Sequence, residues 1–539
     1  MVAAAGGLRV AVGDAAAGPT GDALDRLIKD GVPAALAAGD ATLWGPAAQA
    51  EAAQRLGWLR LAETSRPLLG PLEDLRTELT AEGIDRVVLA GMGGSSLAPE
   101  VICASAGVPL VTLDTTDPGQ VAAALVDLAR TVLVVSSKSG GTVETDSHHR
   151  AFRAAFTAAG LDPAAHIVVV TDPGSPLELA AHDLGVRALF LADPNVGGRY
   201  SALTAFGLVP SALAGVDVAP LLDGAAAVAA TLASSDCPAL LLGAALGGLA
   251  LGGRDKLVLA DAGSGIVGFG DWAEQLVAES TGKQGRGILP VVVGSPSAPG
   301  AEGADRQLSL LGAADAPAHG TAVTGTLGGL FLAWEYATAI AGRLLDIDPF
   351  DQPNVQESKD NTKALLQGAA GGVLVEPEPD RQFVDGLVVI SGSATVLGAA
   401  VTLTSALDEL LAAVPQGGYL AIMAYLDRFA DAAAAGLRDV LAHRIGGAVT
   451  FGWGPRFLHS TGQYHKGGPA HGVFLQITGE PTQSLPIPDQ PFDFATLQRA
   501  QALGDQQALT GRGRPFLRLH LTDRAAGLAS VLAAAQASA

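Results

Sequence analysis

Two short loops carry the residues best suited to chemistry. SSKSGGTVET (136–145) sets the hydroxyls of Ser136, Ser137, Ser139 and Thr142, two glycines and Lys138 between an apolar run and a helix-like stretch. Neutral donors, free amides and the positive end of a helix dipole together make an oxyanion cradle. A helix cap, with Thr142 capping and Glu144 complementing the dipole, would need only one hydroxyl. Four hydroxyls point to a phosphate. GMGGSS (91–96) follows VVLA and leads into another helix-like stretch. Its glycines let backbone amides approach an anion, although a plain tight turn would use the same residues. Walker A spacing is absent, and GMGGSS lacks the dinucleotide fingerprint with its ribose-binding acid. A nucleoside triphosphate and a nicotinamide dehydrogenase are therefore disfavoured.

Further segments accompany these loops: VGGRYS (196–201), AESTGK (278–283), FDQPNVQESK (350–359) and LHSTGQ (458–463). With the loops they resemble the glucose-6-phosphate isomerases, a family built on sugar-isomerase domains. The motifs run from Asp85 to Lys359 and resume near Gly452. The resemblance implies Glu279 as catalytic base, Arg199 as active-site arginine, Lys359 as catalytic lysine and His459 as ring-opening histidine. It puts substrate and phosphate contacts on Gly94, Ser95, Ser137, Lys138, Ser139, Thr142, Gly198 and Gln352. The implied reaction interconverts glucose 6-phosphate and fructose 6-phosphate through a cis-enediol. It uses no cofactor and no metal, in a cytoplasmic homodimer whose small-molecule partner is the sugar phosphate. In the family the histidine segment precedes the glutamine–lysine element; here it follows. That order is similar to the isomerase half of bacterial transaldolase–isomerase fusions. It leaves His465, in QYHKGG, and His319 as rivals to His459.

The chemistry suits these residue types. Moving a proton between C1 and C2 calls for one carboxylate on one face of the open-chain sugar. Glu279 sits at the end of the apolar WAEQLVA run, at a pocket edge and not on an exposed helix face. A fixed cation such as Arg199 would stabilise the developing oxyanion by roughly 3 kcal/mol. Ring opening wants a group that titrates near neutrality, as histidine does. Gln352 and Lys359 are seven apart and would share a face if their segment were helical throughout. A dual glucose/mannose phosphate isomerase would use the same groups. A non-catalytic sugar-phosphate sensor would keep the hydroxyl loop and dispense with Glu279, Arg199, Gln352 and Lys359.

Bulk composition fits a folded, non-nucleic-acid-binding chain. Hydrophobic residues make up 49% and charged residues 16% of 539, and Lys plus Arg total 33 against 54 Asp plus Glu. A net charge of -21 opposes binding of a polyanion, so any phosphate must be captured by a loop. Cys103 and Cys237 have neither disulfide nor zinc spacing. The apolar stretch from Pro238 to Gly253, rich in Gly and Ala, reads as a buried helix and not a membrane span. The first residues have no basic segment followed by a long apolar core, so no secretory signal is expected.

These motifs need a scaffold that brings loop ends together. Apolar runs at Asp85–Ala90, Pro109–Leu113, Thr131–Ser136, His166–Thr171 and Arg187–Leu191 alternate with helix-like stretches at Pro118–Ala129 and Thr142–Gly160. That alternation predicts a doubly wound parallel sheet with ligands beyond the carboxyl ends of its strands. RDKLVLADAGSG (254–265) echoes DRVVLAGMGGSS (85–96), as a second related unit would. The expected class is α/β: two doubly wound parallel-sheet sugar-isomerase domains with an additional C-terminal α/β segment. Residues 1–60 read as a helical segment, 61–230 as the phosphate-binding domain and 231–375 as the domain of the catalytic glutamate. Residues 376–539 would complete the second domain and carry LHSTGQ.

Overall fold

A computed structural model describes the chain apart from residues 370–373, 375, 377, 482 and 538–539. The apolar runs become strands in three sheets. In the first, five parallel strands lie in the order Val111–Leu113, Arg86–Gly91, Thr131–Ser136, Ile167–Thr171 and Ala188–Leu191. Thr131–Ser136 and Ile167–Thr171 are buried throughout, which is why they read as continuous β-branched runs instead of alternating.

The second sheet pairs Gly320–Thr324, Arg306–Leu311, Lys256–Asp261 and Leu289–Val293 in parallel. Its other edge comes from the N-terminus, which departs from the all-helical expectation. Val2–Ala5 and Leu8–Val12 form a hairpin, and Leu8–Val12 pairs antiparallel with Gly320–Thr324. The cause is the Gly6–Gly7 turn: both residues take positive φ, 58° and 75°, as a two-residue hairpin requires. A side chain at Gly6 would also strike the Ala227 carbonyl.

The apolar stretch read as a buried helix is the helix Pro238–Leu251, buried on nearly every face. Gly243 and Gly247 let it lie directly against Ile340 and Leu344 of the helix Leu327–Leu345. No helix among the described residues is long and apolar enough to cross a membrane.

The third sheet orders Arg381–Asp385, Val388–Gly392, Phe516–Leu521, Gly472–Gly479, Tyr419–Tyr425 and Ala448–Trp453, the last four parallel. Residues 376–539 thus supply a sheet and core of their own. They join the second unit by packing: Val258, Leu289 and Val291 share an apolar cluster with Tyr419, Met423 and Phe474. Lys256 Nζ ties the two together through the Gly417 carbonyl, at 2.6 Å. The first and second units share one continuous core containing Leu89, Phe206, Leu276 and Phe331.

Candidate active site

Glu279 sits near the end of the helix Phe269–Thr281 and is nine-tenths buried. Arg199 comes from the tight turn Gly198–Tyr200, and its Nη1 lies 3.1 Å from Glu279 Oε1. The guanidinium is held on every side. Nε donates to Ser280 Oγ at 2.8 Å, Nη1 to Gln352 Oε1 at 2.6 Å, and Nη2 to the Pro349 and Asp351 carbonyls at 2.9 Å. A cation so fixed needs no reorganisation when charge develops beside it. Lys283 holds the same loop from below, with Nζ on Asp351 Oδ1 at 2.6 Å and on the Asp348 carbonyl at 2.7 Å. Burial, then the Arg199 charge, lowers the Lys283 ammonium to about 8.

One helical turn before Glu279, Gln275 faces the same way. Its Nε2 donates to Glu279 Oε2 at 3.1 Å and to the His459 carbonyl at 2.8 Å. The imidazole of His459 lies 3.0 Å from Glu144 Oε1. Gln501 Nε2 reaches the same oxygen at 2.7 Å, and Thr116 Oγ1 donates to Gln501 Oε1 at 2.7 Å. Burial alone would raise the Glu144 carboxyl; the charge and hydrogen bond of His459, with its own amide and Lys359, overcome this and hold it at about 2. Glu144 is therefore an anion that orients the imidazole.

Glu144 belongs to the helix Val143–Ala158, which starts at the hydroxyl loop. Thr142 occupies the N-cap position yet makes no capping bond with its side chain. Instead Ser137 Oγ donates to Thr142 Oγ1 at 3.1 Å, and Ser139 Oγ accepts from the Gly141 amide at 3.3 Å. The hydroxyls stay near one another at the dipole's positive end. Lys138 departs from the cradle: its ammonium pairs with Asp172 and approaches the Pro194 carbonyl. The loop's donors are therefore hydroxyls and amides.

The other glycine loop presses against this assembly. Gly93, at φ 54°, passes so close to Gln275 Nε2 and the His459 carbonyl that a Cβ would sit 2.7 and 2.9 Å from them. At Gly94 a Cβ would lie 2.0 Å from the Gly198 carbonyl oxygen. Ser201 Oγ donates to both the Gly94 and Gly198 carbonyls, at 3.2 and 2.6 Å. Ser95 is buried in the intervening turn Gly93–Ser95.

Gln352 precedes the helix Val355–Gly368 instead of lying on it, so it shares no helical face with Lys359. The Pro353 turn displaces the helix start. Lys359 is solvent-exposed on that helix and acts on Glu144 through its charge. Ser358, next to it, donates to Asp505 Oδ1 at 3.2 Å, and the buried Lys466 pairs with the same oxygen at 2.7 Å. The rival histidines stand elsewhere. His465 is packed against Tyr419 and Phe474, its two ring nitrogens without partners among the described residues, and burial followed by Lys466 drives it down to about 3. His319 is exposed in the connection leading into Gly320–Thr324.

Comparison with known proteins places the chain in a family. The sequence model of the phosphoglucose isomerase family matches residues 76–250. A probable glucose-6-phosphate isomerase of Haloarcula marismortui is 32% identical over 375 residues, 57% of this chain and 82% of that protein. The chain belongs to the glucose-6-phosphate isomerase family. A glucose-6-phosphate isomerase of Thermosynechococcus vestitus is 39% identical over 212 residues, 37% of this chain and 40% of that protein. Among solved structures, a glucose-6-phosphate isomerase from Chlamydia trachomatis superposes with a TM-score of 0.53 at 20% identity, covering 68% of this chain and 89% of that one. A hypothetical protein from Thermus thermophilus gives 0.56 at 24% identity, covering 66% of this chain and 99% of that one. Both likenesses show the shared fold.

Proposed function

We propose that the chain interconverts glucose 6-phosphate and fructose 6-phosphate, with Glu279 moving the proton between C1 and C2. The observation that carries this reading is the unbroken run of contacts from the phosphate cradle to the base. Thr142 begins the helix of Glu144, Glu144 meets His459, and Gln275 joins the His459 carbonyl to Glu279. A sugar phosphate anchored on Ser137, Ser139 and Thr142 would extend across His459 toward Glu279 and Arg199.

In this scheme His459, oriented by Glu144, passes a proton between the ring oxygen and the C1 or C2 hydroxyl and opens the ring. Lys359 assists at the ring oxygen. Glu279 takes the proton from one carbon of the open chain and returns it to the other, while Arg199 stabilises the enediolate oxygen. Residues 61–230 bind the phosphate, 231–375 supply the base and 376–539 supply the histidine. The working form proposed is a homodimer. Cys103 and Cys237 are buried and unpaired, which supports a reducing, cytoplasmic setting.

Glu279→Gln tests the proposal. The exchange preserves shape, and kcat should fall by about 100-fold or more, while calorimetry with sorbitol 6-phosphate should give near-native affinity. Wild-type turnover in that variant would overturn the scheme.

A further inference from the structure

The third sheet contains a crevice that the isomerase centre does not use. From Tyr419–Tyr425 the chain passes to Ala448–Trp453 on one side, then returns to Gly472–Gly479 on the other and continues to Phe516–Leu521. Winding reverses between Tyr419–Tyr425 and Gly472–Gly479, and the loops beyond their carboxyl ends must splay apart. Such switch points are where open α/β sheets hold ligands. A cavity of about 280 Å³ lies there. Tyr425 and Thr478 line it from the two strand ends, Gln498 and Arg499 from the helix Phe494–Thr510, and Arg518 and His520 from the neighbouring strand.

Two arginines of the lining already grip a carboxylate, and Glu480 and Asp493 line the same cavity. Glu376 reaches Arg518 Nη1 with Oε2 at 3.0 Å and pairs with Arg499 through Oε1. Arg518 is 7% exposed, and its Nε donates to Thr478 Oγ1 at 3.3 Å. Thr478 Oγ1 also meets His520 Nδ1 at 3.0 Å. Two lining groups are left over: Gln498 Nε2 and Tyr425 Oη are buried with no hydrogen-bond partner among the described residues. Leaving a buried polar group unpaired costs roughly 1–3 kcal/mol, and an occupant with several oxygens would satisfy them.

We propose that this crevice is a second binding site, distinct from the isomerase centre, for a small anion bearing carboxylate or phosphoryl oxygens. Glu376 marks how such oxygens are held, one on each arginine, and the incoming anion takes its place. Forked guanidinium groups suit planar, two-oxygen recognition.

The test titrates citrate, and separately inorganic phosphate, into the full chain by calorimetry. Saturating glucose 6-phosphate and fructose 6-phosphate at equilibrium keep the isomerase centre occupied. One probe should bind at one per chain: citrate if carboxylates are preferred, phosphate if phosphoryl groups are. Arg499→Gln should weaken binding about tenfold, and Glu376→Gln should strengthen it about tenfold, each being a change near 1.4 kcal/mol. Binding seen only in Glu376→Gln also supports the site, because the internal carboxylate then outcompetes the probe. If neither probe binds to wild type or to Glu376→Gln, the proposal fails. It fails equally if binding is indifferent to Arg499→Gln, since the anion would then sit elsewhere.

Discussion

His459 Nε2 stands 3.0 Å from Glu144 Oε1 across 315 residues of chain. The histidine enters from the third sheet and the carboxylate from the first, so their meeting is a product of the tertiary fold alone. The contact separates His459 from the neighbouring His465, whose ring packs against Tyr419, Phe457 and Phe474.

Exchanging the two histidines should give opposite phenotypes. His459→Ala should lower turnover of ring-closed fructose 6-phosphate about 100-fold, the scale of one lost acid–base group. His465→Phe fills the same aromatic slot and should keep kcat. Comparable loss in both variants would remove the assignment.

Acid stability should change in His465→Phe in a direction set by burial. The folded imidazole titrates at about 3 against an ordinary 6.5. The unfolded chain therefore binds the proton first, and His465 costs stability as pH falls below 6.5. At pH 5 that cost is on the order of 2 kcal/mol. Denaturant unfolding should find His465→Phe gaining on wild type between pH 8 and pH 5. A pH-independent difference would contradict it.

Glu144→Gln should gain on wild type in the same direction, over a lower pH range. Its folded carboxyl titrates at about 2 against 4.5, so its stabilisation is complete above 4.5 and disappears as pH falls toward 2. The deficit of the variant, on the order of 3 kcal/mol at pH 7, should close between pH 4.5 and pH 2.5. Turnover should fall as well, because the imidazole loses its orienting anion.

Gly94→Ala should force two site loops apart. The new methyl would lie 2.0 Å from the Gly198 carbonyl oxygen, a backbone atom that cannot step aside. A loss of about 1–3 kcal/mol is expected, with a fall in kcat as Arg199 moves. Gly197→Ala meets only the Tyr200 ring at 3.7 Å and should behave as wild type. Thermal unfolding and steady-state rates on both variants check the pair.

Arg456→Met should disconnect the histidine turn from the first unit. Arg456, three residues before His459, pairs with Glu100 at 2.6 Å and Asp114 at 3.0 Å. Removing it leaves Arg428 as the remaining cation beside Glu100, at 2.9 Å, and the buried Asp114, at 3.9 Å, so the loss of charged hydrogen bonds should cost about 1.5–3 kcal/mol. Stability and ring-opening turnover should fall together, with Arg456→Lys recovering part of each.

How far the sequence could be read depends on the range of the interactions involved. Thr131–Ser136 is legible from its apolar run, and the hydroxyl loop from its own composition, because both are local. The Gly6–Gly7 hairpin had a local signal too, two glycines between short β-branched runs, outweighed by the alanines around it. Gln275 was readable in principle, four residues before Glu279 on one helical face. Gln501, Thr116 and Arg456 carry no such mark: what they do depends on partners hundreds of residues away. Lys138 was misleading, since its nearest anion, Asp172, belongs to the next strand's loop. The Gln352–Lys359 spacing gives a shared face only in a continuous helix, and this helix starts at Val355, after Pro353.

The order of the working groups along the chain has a consequence during synthesis. A ribosome delivers the phosphate cradle first, then Arg199 and the base, and only much later His459, followed by Gln501 to steady Glu144. A nascent chain halted after the second unit would carry the grip for a sugar phosphate and the carboxylate for its carbon chemistry, with nothing to unlock a closed ring. On the proposed roles, the ring-opening group is therefore among the last of the working residues to be synthesised.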